Sequence, residues 1–233
     1  MPMPAADTPY QLILSQGLPD DAGAARLRDD LPASELHWIT RLRRTDDRLR
    51  SLTGRALVRR LLGRHLGQAP AAVRLGAGPQ GKPMMEDAAS GWQFNIAHSG
   101  DLVLVGVGPG PVGVDVEHCS APVDAALWQQ VTGRALPEPA SGHTAQAFCA
   151  QWVRREAVLK ACGAGLHIAP AALQLGDGDP GAWQPVAGPA AVNGLRVRLL
   201  WSTPAHGAAL CLPQAAAGAD AWSMQTVALA DWI

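Results

Sequence analysis

The 233 residues are 48% hydrophobic and 17% charged, with a formal net charge of −1. That supplies a sizeable core and gives no electrostatic case for a nucleic-acid partner. No apolar stretch is long enough to span a bilayer, and the opening MPMPAADTPY lacks the basic segment and apolar run of a secretory signal, so no membrane association is expected. Cys119, Cys149, Cys162 and Cys211 are scattered without a CxxC pair, which argues against a disulfide framework or a zinc site and for a reducing cytoplasm.

The clearest helix is predicted over 45–67, TDDRLRSLTGRALVRRLLGRHLG. Leu49, Leu52, Ala56, Leu57, Leu61 and Leu62 recur at helical spacing; Thr45 is expected to cap the start, and Gly67 closes the end. Arg48, Arg50, Arg55, Arg59 and Arg64 fall mostly on the other side, where most form a solvated face and a subset can hold phosphates. A Gly/Pro loop with one lysine, GPQGKP, follows at 78–83. WQFNIAHS (92–99) and DLVLVGVG (101–108) read as strands of an antiparallel hairpin, and PVGVDVEH (111–118) as a third strand. Beyond a weakly patterned region with a short helix around DAALWQQV, a strong helix is predicted at 144–162, TAQAFCAQWVRREAVLKAC, with Thr144 as its cap and Gly163 just past its end. AALQLGDGDPGAWQPV reads as a strand and a turn; GLRVRLLW (194–201), GAALCLP (207–213) and SMQTVALADWI (223–233) read as further strands. A long helix and several strands in each half is the order of an α+β fold.

The chemistry concentrates in two places. Asp115 and Glu117 are two apart on a strand and project from one face. On an exposed edge they would be harmless; on a covered face, two like charges call for a cation or basic partners, and paired carboxylates are what Mg²⁺ uses beside water and substrate phosphates. On the helix at 144–162, Phe148, Leu159, Trp152, Ala145, Cys149 and Val153 share an apolar arc that also takes in Glu156 and Lys160, while Arg154 and Arg155 point elsewhere. A surface i,i+4 Glu–Lys pair is the alternative, but charges on a buried arc need a partner or a ligand. Three carboxylates with Lys160, Lys82 and His98 suggest metal-assisted phosphate chemistry. His118 points to the opposite face of its strand and reads as structural.

The blocks GKP (81–83), FNIAHSGDLVLVGV (94–107), GVDVE (113–117) and WVRREAVLKACGAGL (152–166) resemble the motifs of the Sfp-type 4′-phosphopantetheinyl transferases, over roughly residues 38–213. The resemblance implies two similar α/β halves related by a pseudo-twofold, each a long helix on a small, mostly antiparallel sheet, divided as 1–112 and 113–233, with coenzyme A in the cleft between them. It also implies transfer of 4′-phosphopantetheine from coenzyme A to a serine of an apo acyl, peptidyl or polyketide carrier protein, by a cytoplasmic monomer. Its Mg²⁺ ligands fall on Asp115, Glu117 and Glu156, and its catalytic groups on Glu156 and Lys160. Its coenzyme A contacts fall on Lys82, Pro83, His98, Ser99 and Lys160, with Arg41 or Arg44 for the 3′-phosphate and Arg50 as a further contact. Three positions depart from the pattern: Ala97 replaces a serine, Arg155 a lysine, and Trp38 a basic residue. Two other readings remain: a different Mg²⁺-dependent phosphoryl or nucleotidyl transferase, and a relative that binds coenzyme A or carrier protein without transfer.

Overall fold

The computed structural model describes residues 8–78, 83–119, 122–137, 144–176, 178–218 and 220–229. In chain order its first elements are β1 (Tyr10–Gln16), α1 (Asp21–Arg28), α2 (Ala33–Thr40), α3 (Thr45–Leu66), β2 (Leu75–Ala77), β3 (Pro83–Met85), β4 (Gln93–Ser99) and β5 (Leu102–Gly108). They are followed by β6 (Gly113–His118), α4 (Ala125–Thr132), α5 (Thr144–Cys162), β7 (Gln174–Leu175), β8 (Gln184–Ala187), β9 (Leu195–Ser202), β10 (His206–Pro213) and β11 (Trp222–Ala228). The chain divides into two compact units: residues up to Gly110 with those from Gly218 on, and Pro111–Ala217. Among the described residues no helix is long and apolar enough to cross a membrane.

In the first unit α3 lies on a sheet of strand order β11-β1-β5-β4, antiparallel except for the parallel β1–β11 pair. The helix ends as its sequence predicts, with Gly67 at φ 65°, a left-handed conformation that glycine adopts without cost. Its start differs from expectation: Thr45 is the first helical residue rather than the cap, and its hydroxyl accepts from Arg48 Nη2 at 3.0 Å. The apolar stripe is buried in two directions: Leu57, Leu61 and Leu62 cluster with Val103, Val105 and Phe94 of the sheet, and Leu52 and Ala56 with Leu27, Leu31 and Ile39. Arg59 leaves the expected solvated face. It is 1% exposed, donates from Nη1 to the carbonyls of Val73 (2.6 Å) and Pro70 (3.0 Å), and pairs through Nη2 with Glu35 at 2.6 Å. A buried guanidinium is tolerable here because its donors meet fixed acceptors.

In the second unit α5 packs on β6, β10 and β9 of an antiparallel sheet ordered β6-β10-β9-β8-β7. Val153, Ala157, Val158, Leu159 and Ala161 meet Val197, Leu199, Ala209 and Cys211 in its core. Gly113 permits the close approach of helix to strand: a Cβ there would collide with the carbonyl of Ala157 and lie 2.5 Å from the Ala161 nitrogen. Asp124 caps α4 by accepting from Leu127 N at 2.8 Å.

The division 1–112 and 113–233 needs one correction. β11 pairs with β1 from Tyr10–Trp222 to Gln16–Ala228, so the last strand completes the first unit's sheet rather than the second's. β1 has β5 on one edge, and its other edge carries unpaired amides and carbonyls until β11 covers it.

Candidate functional site

β6 fixes the carboxylates. Val114 and Val116 are fully buried on one face, and Gly113, Asp115 and Glu117 alternate onto the face turned towards α5. The close approach at Gly113 therefore sets how near the carboxylates come to the helix. Asp115 is 1% exposed, and its Oδ1 accepts from Lys160 Nζ at 2.5 Å. Its Oδ2 is buried and accepts no hydrogen bond. Lys160 thus spends its charge on a residue 45 positions away rather than only on Glu156 one turn back. Burial raises the Asp115 carboxyl to about 6 against the opposing pull of Lys160, with Glu117 and Glu156 adding to the rise. Glu156, half-buried, is also raised, first by burial and then by Glu117, with Lys160 acting the other way. The three carboxylates and the ammonium therefore form one electrostatic cluster.

Among the described residues no three His, Cys, Asp or Glu side chains are drawn close enough to cage an ion. The donor set still fits a hard cation. It offers only carboxylate oxygens, one of them buried and unpartnered, and such an ion keeps waters and takes further oxygens from a phosphate.

Arg154 and Arg155, expected to point away from the apolar arc, are buried at 4% and 3% exposure. Arg154 Nη1 donates to Gln184 Oε1 at 3.0 Å, and Arg155 Nη1 to Gln151 Oε1 at 2.5 Å. Burial, then Arg154 and Arg134, lowers the Arg155 guanidinium to about 10. His118 is exposed at the end of β6, edge-on to His206 at 4.9 Å.

The cysteines correct the spacing argument: Cys119 and Cys149 form a disulfide, with their Cα atoms 5.5 Å apart. Thirty positions separate them, so no short motif marks the pair. Both line a cavity of about 270 Å³ with Glu117, Leu127, Phe148 and Trp152.

In the first unit Arg50 reaches the β4–β5 turn, donating from Nη1 to the Gly100 carbonyl at 2.6 Å and pairing through Nη2 with Asp47 at 2.6 Å. Arg50 first, then Arg44 and His98, holds the Asp47 carboxyl below its ordinary value, so these basic groups gather around it near the hairpin's end. Asp47 was not singled out from the sequence, although its i,i+3 spacing to Arg50 was readable. Arg41 stands exposed just after α2, apart from any contact that places it in this group, and Pro83 opens β3. Lys82 lies outside the described residues.

Residues 19–109 match the model of the 4′-phosphopantetheinyl transferase N-terminal domain, and residues 111–187 that of the 4′-phosphopantetheinyl transferase superfamily. A phosphopantetheinyl transferase of Thraustochytrium sp. is 31% identical over 185 residues, covering 70% of this chain and 63% of the relative. A putative 4′-phosphopantetheinyl transferase of Synechocystis sp. is 32% identical over 152 residues, 58% of each. The 4′-phosphopantetheinyl transferase HetI of Nostoc sp. is 30% identical over 163 residues, 64% of this chain and 68% of HetI. The chain thus spans less than two thirds of the length of the first two. Two adjoining matches that together run from residue 19 to 187, and a relative covered over two thirds of its length, place the chain in the 4′-phosphopantetheinyl transferase family.

Proposed function

We propose that this protein transfers 4′-phosphopantetheine from coenzyme A to a serine of an apo acyl, peptidyl or polyketide carrier protein and releases adenosine 3′,5′-bisphosphate. The observation that carries the reading is the divided environment of Asp115: one oxygen on Lys160, the other buried and unpartnered, with Glu117 and Glu156 adding charge beside it. That is a poor structural ion pair and a suitable seat for a divalent cation. Asp115, Glu117 and Glu156 would hold Mg²⁺, whose chemistry is to neutralise the pyrophosphate and stabilise the leaving bisphosphate.

The remaining work falls to the chain's own residues. Glu156, its carboxyl raised by burial, is placed in this reading to take the proton of the carrier serine as its hydroxyl oxygen attacks the phosphorus of the transferred group. Lys160, 29% exposed, can meet phosphate oxygens without leaving the Asp115 side of the site. His98, Ser99 and Arg50 at the hairpin end, with Lys82, Pro83 and Arg41, are proposed as coenzyme A contacts; the basic groups gathered around Asp47 support His98 and Arg50. The helix-on-sheet plan of each unit supports a fold built from two similar halves. The setting we propose is a cytoplasmic monomer.

Intact mass of an apo carrier protein after incubation with this protein, coenzyme A and Mg²⁺ tests the reading. A gain of one phosphopantetheine, lost with Asp115→Ala, is expected. No gain across several apo carriers, despite measurable coenzyme A binding, would leave a binding protein rather than a transferase.

A further inference from the structure

The face of β6 that carries the carboxylates does not stop at Glu117. Two residues on, Cys119 extends the same alternation, its amide still bonded to the Ala205 carbonyl at 2.8 Å. Chain directions oppose one another, so four levels face each other in turn: Gly113 with Ala157 and Ala161, Asp115 with Lys160, Glu117 with Glu156, and Cys119 with Cys149. Three of these levels attract or pack. The Glu117–Glu156 level alone sets like charges against each other, and it lies between the Lys160–Asp115 ion pair and the disulfide. Cys149 Sγ lies 3.7 Å, and Cys119 Sγ 4.0 Å, from the Glu117 carbonyl oxygen, so the bridge bears directly on the backbone that carries this ligand.

The two sulfurs, although their residues are buried, open onto a cavity at the site. Cys119 and Cys149 line that cavity beside Glu117, whereas Cys211 is fully buried in the core and Cys162, partly exposed, sits at the far end of α5 away from the carboxylates.

We propose that the Cys119–Cys149 disulfide is a redox switch on divalent-cation binding: oxidised, it holds Glu117 against Glu156; reduced, it lets the two carboxylates move apart. The inference rests on the reading of Asp115, Glu117 and Glu156 as cation ligands. The step is thiol–disulfide exchange with a dithiol. One thiolate of the dithiol attacks a protein sulfur and breaks the S–S bond, giving a mixed disulfide; its second thiol then displaces the protein sulfur. Two electrons and two protons pass to the protein, leaving Cys119 and Cys149 as thiols and the dithiol as its own disulfide. A low-molecular-weight disulfide reverses the exchange.

The test is Mn²⁺ binding to the whole chain, read by electron paramagnetic resonance without coenzyme A or carrier, before and after dithiol treatment. Alkylation and intact mass count the thiols in each sample. Reduction should add two alkylatable thiols and weaken Mn²⁺ at least fivefold, and oxidised glutathione should restore both. Cys119→Ser and Cys149→Ser should each bind as the reduced protein does in either condition, while Cys162→Ser should switch like the unaltered chain. Equal Mn²⁺ affinity in both redox states, or no disulfide in the oxidised sample, overturns the switch and leaves the cation site standing. Failure of both the oxidised and the reduced form to bind Mn²⁺ overturns the cation site itself, and the switch with it.

Discussion

Replacing Asp115 with asparagine should make the metal-free protein more stable at neutral pH while removing the proposed cation ligand. The carboxyl is 1% exposed, has one unpartnered oxygen, and is raised from 3.8 to about 6 chiefly by burial. At about 1.4 kcal/mol per pKa unit, ionising it inside the fold costs about 3 kcal/mol relative to the unfolded chain. The sign follows from proton counts. Between about pH 4 and 6 the folded protein keeps a proton that the unfolded chain has released, so this contribution is fully present below 3.8 and is lost as pH rises through about 6. Asparagine is neutral throughout and of nearly the same shape, so it never incurs that loss. Lys160 gives up its ionic partner but is 29% exposed and can be solvated, and an amide N–H replaces an oxygen that already lacked a partner. These offsets leave an expected gain of about 1–3 kcal/mol at pH 7.5, shrinking to a few tenths near pH 4. Urea unfolding with chelator present, followed by fluorescence of the eight tryptophans, measures it at both pH values. An asparagine variant less stable than the parent at pH 7.5, or a gain equally large at pH 4, would show that burial of the charge is not what destabilises the parent.

Lys160→Met removes the group that holds the Asp115 carboxyl down, so its midpoint should move above about 6, as read by carbon NMR of the carboxyl through a pH series. Mg²⁺ added at pH 7.5 should raise the melting temperature of the parent, by the equivalent of about 2.7 kcal/mol at a hundredfold excess over its dissociation constant, and should not raise that of Asp115→Asn. Gly113→Ala forces a methyl group against the backbone of α5 and should cost at least about 2 kcal/mol in chemical denaturation, with loss of the proposed transfer because β6 and α5 can no longer meet at the same distance.

Much of the scaffold was legible in the sequence because its signals are local. The 3.6-residue recurrence of Leu52, Ala56, Leu57, Leu61 and Leu62, and the glycines at 67 and 163, marked both long helices to within a residue or two. Alternation around Asp115 and Glu117 placed both carboxylates on one strand face, and the apolar arc of the second helix drew Glu156 and Lys160 towards it. The motif blocks carried the family. Other features had no local signature. β1 is a buried strand flanked by a parallel and an antiparallel neighbour, and residues 10–16 were not read as an element. The return of β11 to that strand joins positions more than two hundred apart, and the disulfide joins cysteines thirty apart.

The periodicity of each element and the set of charged groups on its faces are written into the chain locally, since both follow from backbone geometry over a few residues. Which charges are desolvated, that Lys160 takes Asp115 as its partner, and that one carboxylate oxygen is left buried without a hydrogen bond emerge only once the chain packs. Desolvation and pairing depend on what packs from elsewhere in the chain, and here the close approach of α5 at Gly113 brings that packing onto the carboxylate strand.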